Sequence, residues 1–184
     1  KFNLPQNVGV YGLRSNLISG NFNYYLEYAH KYNDPAGSTG DNSNNYATGN
    51  AIKTSLTYFQ KGLGFSFDAH RVDNMEFRSE RQQSKEYIIN YIPTLSKQHS
   101  YTLLAFYPCA TQSNGEIGFQ SDLYYKFDRG TIFGGKYGTK ININYSRVLA
   151  LDGGSSLKND SIDFTPVFLG SSNELFYSDL NLEL

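Results

Sequence analysis

The stretch GLGFSFDAHRV, residues 62–72, alternates with a period of two: Leu63, Phe65, Phe67 and Ala69 fall on one side, Ser66, Asp68 and His70 on the other. Successive side chains of an extended strand point to opposite faces, so the pattern fits a strand with one greasy and one wet face, not a helix of 3.6-residue period. EIGFQSDLYYKF (116–127) repeats it, with Ile117, Phe119, Leu123, Tyr125 and Phe127 opposed to Glu116, Gln120, Asp122, Tyr124 and Lys126. So do GNFNYYLEYAHKY (Phe22, Tyr24, Leu26 and Tyr28 against Asn23, Tyr25, Glu27 and Lys31) and AIKTSLTYF (Ile52, Leu56 and Tyr58 against Lys53, Ser55 and Thr57). TKININYS sets Ile141, Ile143 and Tyr145 against Lys140, Asn142 and Asn144, and LFYSDLNLEL sets Phe176, Leu180, Leu182 and Leu184 against Tyr177, Asp179, Asn181 and Glu183. About eight or nine such runs predict an all-β chain folded as an antiparallel up-and-down meander.

The connections alternate in length. Ser19-Gly20-Asn21 and Gln60-Lys61-Gly62 read as tight hairpin turns, Leu95-Ser96-Lys97-Gln98 as another short one, and Phe127-Asp128-Arg129-Gly130 as the start of a compact turn. Between them, 33–48, 73–85 and 152–173 are long, polar and rich in turn residues. Brief turns at one end and larger loops at the other are how outer-membrane barrels are built, around strands of roughly 9–11 membrane-crossing residues. Tyr24, Tyr58 and Tyr145 would then suit an interfacial aromatic girdle, or serve as ordinary sheet residues. Arg147 shares a face with Ile143, Tyr145 and Leu149, so it must stand near the headgroups or the register must shift there.

Composition agrees with this frame. No stretch approaches the ~20 continuous apolar residues of a spanning helix, whereas a membrane barrel needs an apolar residue only at every second position. A mean hydropathy of -0.49 therefore does not separate a soluble protein from a barrel. Tyr 16 and Phe 13 in a chain with Trp 0 favour pleated sheet, on which aromatic rings pack well. A formal net charge of -1 without a Lys/Arg block argues against a nucleic-acid partner. The single Cys109 can form neither an internal disulfide nor a zinc site alone and is read as a small packed residue. The chain starts Lys1-Phe2-Asn3 without an export signal, as expected of a mature form or a fragment.

Residues 71–147 carry a resemblance, most clearly in DNMEFRS, YIPTLSKQHSYTLLAFYP, NGEIGFQSDLYYKF and GGKYGTKININYSR. This region resembles a family of outer-membrane β-barrel proteins of Bacteroidota with no established activity. The resemblance implies a larger barrel of which 1–184 is one segment, and it transfers no functional residue. The closing Leu182-Glu183-Leu184, where alternation is still running, agrees with that expectation.

Catalytic chemistry finds little support. His30, His70 and His99 show no HxH or HExxH spacing, and Asp68 with His70 reads as part of a polar network more readily than as a working pair. The glycines at 130, 134, 135 and 138 lie in a turn and strand with no following helix, as a bend and not a phosphate cradle. Glu116 and Asp122 are ~20 Å apart along one strand, too far for a glycosidase pair. In 73–86, Asp73, Glu76, Arg78, Glu80, Arg81, Lys85 and Glu86 could grip a charged glycan or partner protein, but read better as a solvated loop with internal ion pairs. Asp34 and Asp41 lie in an oxygen-rich loop without the ordered series of an EF-hand. No metal or cofactor is expected.

The resulting expectation is an outer-membrane barrel segment of a Gram-negative bacterium, reached after export, with a structural, transport or surface-assembly role and no enzymatic activity. Lipid would meet Leu63, Phe65, Phe67, Ile117, Phe119, Leu123, Ile141 and Ile143. The lumen would be lined by Glu27, Lys53, Asp68, His70, Glu116, Gln120, Asp122, Lys126, Lys140, Asn142, Asp179 and Glu183, whose mixed signs suit paired ladders more than a pore of one selectivity. Partners would be outer-membrane lipid and a surface lipoprotein or secretion machinery bound by the long loops. Two other readings are a secreted β-sandwich that binds carbohydrate, weakened by the lack of Trp, and a hydrolase inside a barrel, lacking an identifiable nucleophile and base.

Overall fold

Gly20 and Gly62 take φ of 55° and 81°, the left-handed conformation that a two-residue hairpin needs and a side chain resists, and they close the first two hairpins. The computed structural model describes residues 8–35, 46–79, 88–97, 99, 101, 103, 109–113, 115–151 and 174–184. Seven strands run through them: β1 (Gly9–Ser19), β2 (Phe22–Pro35), β3 (Tyr46–Gln60), β4 (Leu63–Asp73), β5 (Gly115–Phe127), β6 (Thr139–Ala150) and β7 (Leu175–Glu183). They form one sheet in chain order, every neighbouring pair antiparallel, with β1 and β7 at its two edges. The chain is an all-β up-and-down meander, with no helix among the described residues.

Among the described residues seven strands stand where eight or nine runs were expected, and between β4 and β5 no further strand is described. Among the described residues of the connection 74–114, Leu95-Ser96-Lys97 lie in a bend with no strand on either side, Gln98 lies outside the described residues, and the one bridge is isolated, Arg78 to Ile88. Pro93 has no N–H to give a ladder, and nearby Leu95 is buried against Gly118 of the sheet. The rhythm of connections survives this change: 20–21, 61–62 and 128–138 join strands at one end, 36–45, 74–114 and 151–174 at the other.

Register fixes which residues share a face. The row Glu27, Lys53, His70, Gly118, Val148 and Tyr177 lies on one side, as does the row Ser55, Asp68, Gln120, Ser146 and Asp179. The opposite side carries Tyr58, Phe65, Leu123, Ile143 and Leu182 in one row and Leu56, Phe67, Ser121, Tyr145 and Leu180 in the next. Polar side chains are sealed on one face while large apolar ones stand open on the other, the reverse of a water-soluble sheet over much of its area. Asn144 and Ser146 on the polar face are 0% exposed and Glu116 1%, whereas Leu13 and Leu180, on the apolar face of the edge strands, are 72% and 69% exposed. Ala69, Ile117 and Leu149, at the long-loop end of the apolar face, are buried, so Ile117 does not stand open to lipid as expected.

The hairpins are also staggered. The last β3–β4 pair is Gln60 with Leu63; the last β1–β2 pair, Ser19 with Phe22, lies two residues to one side of that row, and the last β5–β6 pair, Phe127 with Thr139, two residues to the other. A shift of one residue per strand, at ~3.4 Å per residue and ~4.8 Å between strands, corresponds to strands tilted by about 35°. Measured along the tilted strands, His30, Arg71 and Arg147 all stand eight residues beyond Phe22, Leu63 and Thr139 on the apolar face. The register runs unbroken through Arg147, paired with Phe119 and Ser178, and shifts only beyond it, between Val148 and Leu149. Arg147 therefore belongs to a line of basic side chains that ends the apolar band, about 22 Å from the hairpin ends.

Candidate functional site

Asn74 turns the chain out of β4 with φ of 48°, a left-handed conformation that asparagine tolerates better than most residues. Its side-chain amide donates to the Thr48 carbonyl at 3.0 Å. Gly49 is the reason the two segments can meet so closely, since a Cβ there would overlap the Asn74 carbonyl. From this corner the β4–β5 connection folds back over the polar face.

Its first part is held over β2 and β3. The Lys31 ammonium donates to the Glu76 carbonyl at 2.8 Å and lies 5.1 Å from the centre of the Phe77 ring. The Asn90 side chain staples the two limbs of the connection, donating to the Met75 carbonyl and accepting from the Phe77 N–H, both at 2.9 Å. Between this part and the sheet lies a half-open cavity of ≈ 250 Å³, with Ala29, Ala51, Val72 and Met75 as apolar walls and Glu27, Lys53 and His70 as polar ones.

The second part reaches β5, β6 and β7. Leu95 is buried over Gly118 and Val148, where a Cβ on residue 118 would come within 3.1 Å of a Leu95 methyl. His99 has both ring nitrogens engaged, Nε2 with the Asp179 carboxylate and Nδ1 with the Asn181 amide, each at 2.6 Å. Lys97 faces Glu183 at 3.7 Å. The return limb is fixed by Glu116, which takes His70 Nε2 on one carboxylate oxygen at 2.5 Å and the Gln112 N–H on the other at 2.6 Å. Below the connection, Asp122 accepts from Asn144 at 2.7 Å and from Gln120 at 3.1 Å, and Asn142 donates to Glu183 at 3.4 Å.

Every residue expected on the wet side occupies this one face: Glu27, Lys53, Asp68, His70, Glu116, Gln120, Asp122, Lys126, Lys140, Asn142, Asp179 and Glu183. Leu63, Phe65, Phe67, Ile117, Phe119, Leu123, Ile141 and Ile143 share the other. His70 and Asp68 share the polar face without pairing to each other: the partner of His70 is Glu116, one diagonal step across the β4–β5 ladder. The internal ion pairs expected of 73–86 are present in Glu76 with Arg78 and Asp73 with Arg71, but Glu76 and Asp73 are buried, so this part of the connection is docked and not solvated. Glu80, Arg81, Lys85, Glu86 and Asp41 lie outside the described residues, and of Asp34 only the backbone is described. The clamp of His99 on β7 was missed, having no local signal: its partners are 80 and 82 residues away.

Both ring nitrogens of His99 and the carboxylate of Glu116 are occupied in holding backbone and side chains together, which is the work of a clamp. Among the described residues, no group of three or more His, Cys, Asp or Glu could hold a metal ion. The Cys109 thiol, on the return limb, is pushed above its ordinary value first by burial and then by the Glu116 carboxylate, the opposite of an activated nucleophile.

A model for a family of unknown function matches the whole of residues 1–184. The chain belongs to the DUF6029 family. No curated protein and no solved structure matches this DUF6029 chain.

Proposed function

We propose that this DUF6029 chain forms part of the wall of a transmembrane β-barrel in the outer membrane of a Gram-negative bacterium, with the polar face toward the lumen and the β4–β5 connection narrowing it. The observation that carries the reading is the pairing of a sealed polar face with an apolar face open at both sheet edges: Glu116, Asn144 and Ser146 are buried while Leu13 and Leu180 are exposed. Large contiguous apolar surface is costly in water and favourable against acyl chains. The ~35° tilt and ~22 Å apolar band inferred from register match the strand tilt and ≈ 25 Å band of outer-membrane barrels. A soluble sandwich would bury the Phe65 and Phe67 side against a second sheet, and none lies there among the described residues.

The docked connection favours a restricted interior over an open pore. Carboxylates and cations pair across it instead of forming a ring of one sign, so the reading is a structural or surface-assembly barrel, or one passing small solutes past the connection. Membrane partition combined with gel migration before and after boiling tests it. Extraction only by detergent, with a folded band that shifts on boiling, is the expected result; a freely soluble protein with no such shift would sink the proposal.

A further inference from the structure

The β5–β6 connection, 128–138, exposes the largest apolar side chains of any described turn at the short-turn end. Ile132 is 96% exposed, and Phe133 and Tyr137 are also exposed. A loose turn would carry such residues by accident, but this one is tightly built. Gly130 N–H donates to the Gly135 carbonyl at 2.8 Å, Gly138 N–H to the Gly134 carbonyl at 2.7 Å, and the Thr131 hydroxyl to the Asp128 carbonyl at 2.8 Å. Gly130, Gly135 and Gly138 all have positive φ, so the path depends on residues without a side chain. The fold spends several hydrogen bonds holding Ile132 at the tip.

Two observations say what meets it. The Phe133 ring lies tilted 5.5 Å from Phe127, which lies 4.7 Å from Tyr125, so the turn prolongs the apolar face of the sheet and does not cross to the polar face. The cations of this turn and the neighbouring β3–β4 turn are Arg129, Lys136 and Lys61, with Asp128 the one carboxylate in these two turns; the cross-strand pair Lys126 and Lys140 lies on the polar face and does not belong to this collar. An apolar tip continuous with a lipid-facing surface and collared by positive charge fits the boundary between acyl chains and anionic headgroups, where basic side chains meet phosphate while apolar ones insert.

We propose that the 128–138 turn is a membrane anchor that inserts Ile132 and Phe133 into the bilayer leaflet at the short-turn end and sets its cations against anionic lipid headgroups. This rests on the membrane reading above, and the test separates the two. Residues 1–184 hold Trp 0, so each introduced tryptophan is read as the difference from the unsubstituted protein. Ile132→Trp reports the turn, Leu123→Trp the apolar face, and Tyr91→Trp, an exposed position on the docked connection, serves as a water control. Each full-length variant is reconstituted in vesicles of phosphatidylcholine and phosphatidylglycerol with brominated acyl chains.

The expected result is a blue-shifted, bromine-quenched emission from positions 132 and 123 and a water-like emission from 91, with quenching at 132 reduced when Lys136→Glu is added. Quenching at 123 without quenching at 132 would overturn the anchor and leave the membrane reading standing. Quenching at 132 alone would uphold the turn as an anchor and overturn the barrel. No quenching at either position would overturn both, and a blue shift at 132 without quenching would point to a protein contact in place of lipid.

Discussion

Replacing His99 with alanine should release the docked connection from β7 without unfolding the sheet. The side chain makes one contact to a carboxylate, Asp179, and one to the Asn181 amide. A hydrogen bond involving a charged group contributes ~1.5–3 kcal/mol and a neutral one ~0.5–1.5 kcal/mol, the lower ends applying to a neutral imidazole. Asp179 is half-buried and regains water when its partner is lost; Asn181 is buried and is left with an unpaired amide. The two together give about 2–4 kcal/mol of local stability. The Lys97–Glu183 pair is partly exposed and offsets little of that loss, while Leu95 remains packed on Val148. Native-state hydrogen exchange in detergent micelles reads this directly, as amides near Leu95, Ser96 and Lys97 exchange through local opening. They should exchange about 30- to 1,000-fold faster in His99→Ala, while amides of β3 and β4, far from the clamp, keep their rates. Unchanged exchange at 95–97, or an equal loss across the strands, would refute the idea that His99 is a local clamp.

Three further outcomes follow from the same geometry. Phe67→Lys places a charge four residues from Leu63, at the middle of the apolar band, and should cost ~2–4 kcal/mol in denaturant titrations of the reconstituted protein; an effect near zero would remove that face from the bilayer. Asn74→Val forces a β-branched residue toward positive φ and should lose about 1–3 kcal/mol in thermal unfolding, whereas Asn74→Gly should cost about 1 kcal/mol for the lost bond to Thr48; equal losses would contradict the strained-corner argument. Cys109 has its thiol raised by burial and by Glu116, so at neutral pH less of it is thiolate than in a free cysteine. Its iodoacetamide alkylation should be slower than that of a free thiol, with the pH–rate curve displaced to higher pH; Glu116→Gln should shift that curve part of the way back.

What could be read from the sequence is what strands encode locally. Phe65, Phe67 and Ala69 against Ser66, Asp68 and His70 define two faces before any partner strand is known, because pleating alone makes side chains alternate. Lys53 joins His70 in one row only because both strands keep their alternation in register, so face assignment carried over to the whole sheet. The docked connection was not readable in this way. Its contacts, Lys31 to the Glu76 backbone and His99 to Asp179, join residues far apart in the chain and leave no period. Leu95 and Ile92 resemble strand residues locally, yet Leu95 packs on Gly118, a position whose missing side chain means nothing until the two segments are brought together. Arg147 looked like an exception to its face; the stagger of the hairpins makes it the counterpart of Arg71, a relation that needs three strands at once to be seen.

The odd number of strands among the described residues constrains how this sheet can be closed. Six successive antiparallel pairings leave β1 and β7 pointing the same way. Joining them directly would create a parallel seam in a wall that is otherwise antiparallel throughout. A second copy of these seven strands, inserted in the same sense, presents β1 to β7 and meets the same obstacle. Closure with every seam antiparallel takes an odd number of strands beyond β1 to β7, so parity alone excludes a ring made only of repeated copies of this sheet.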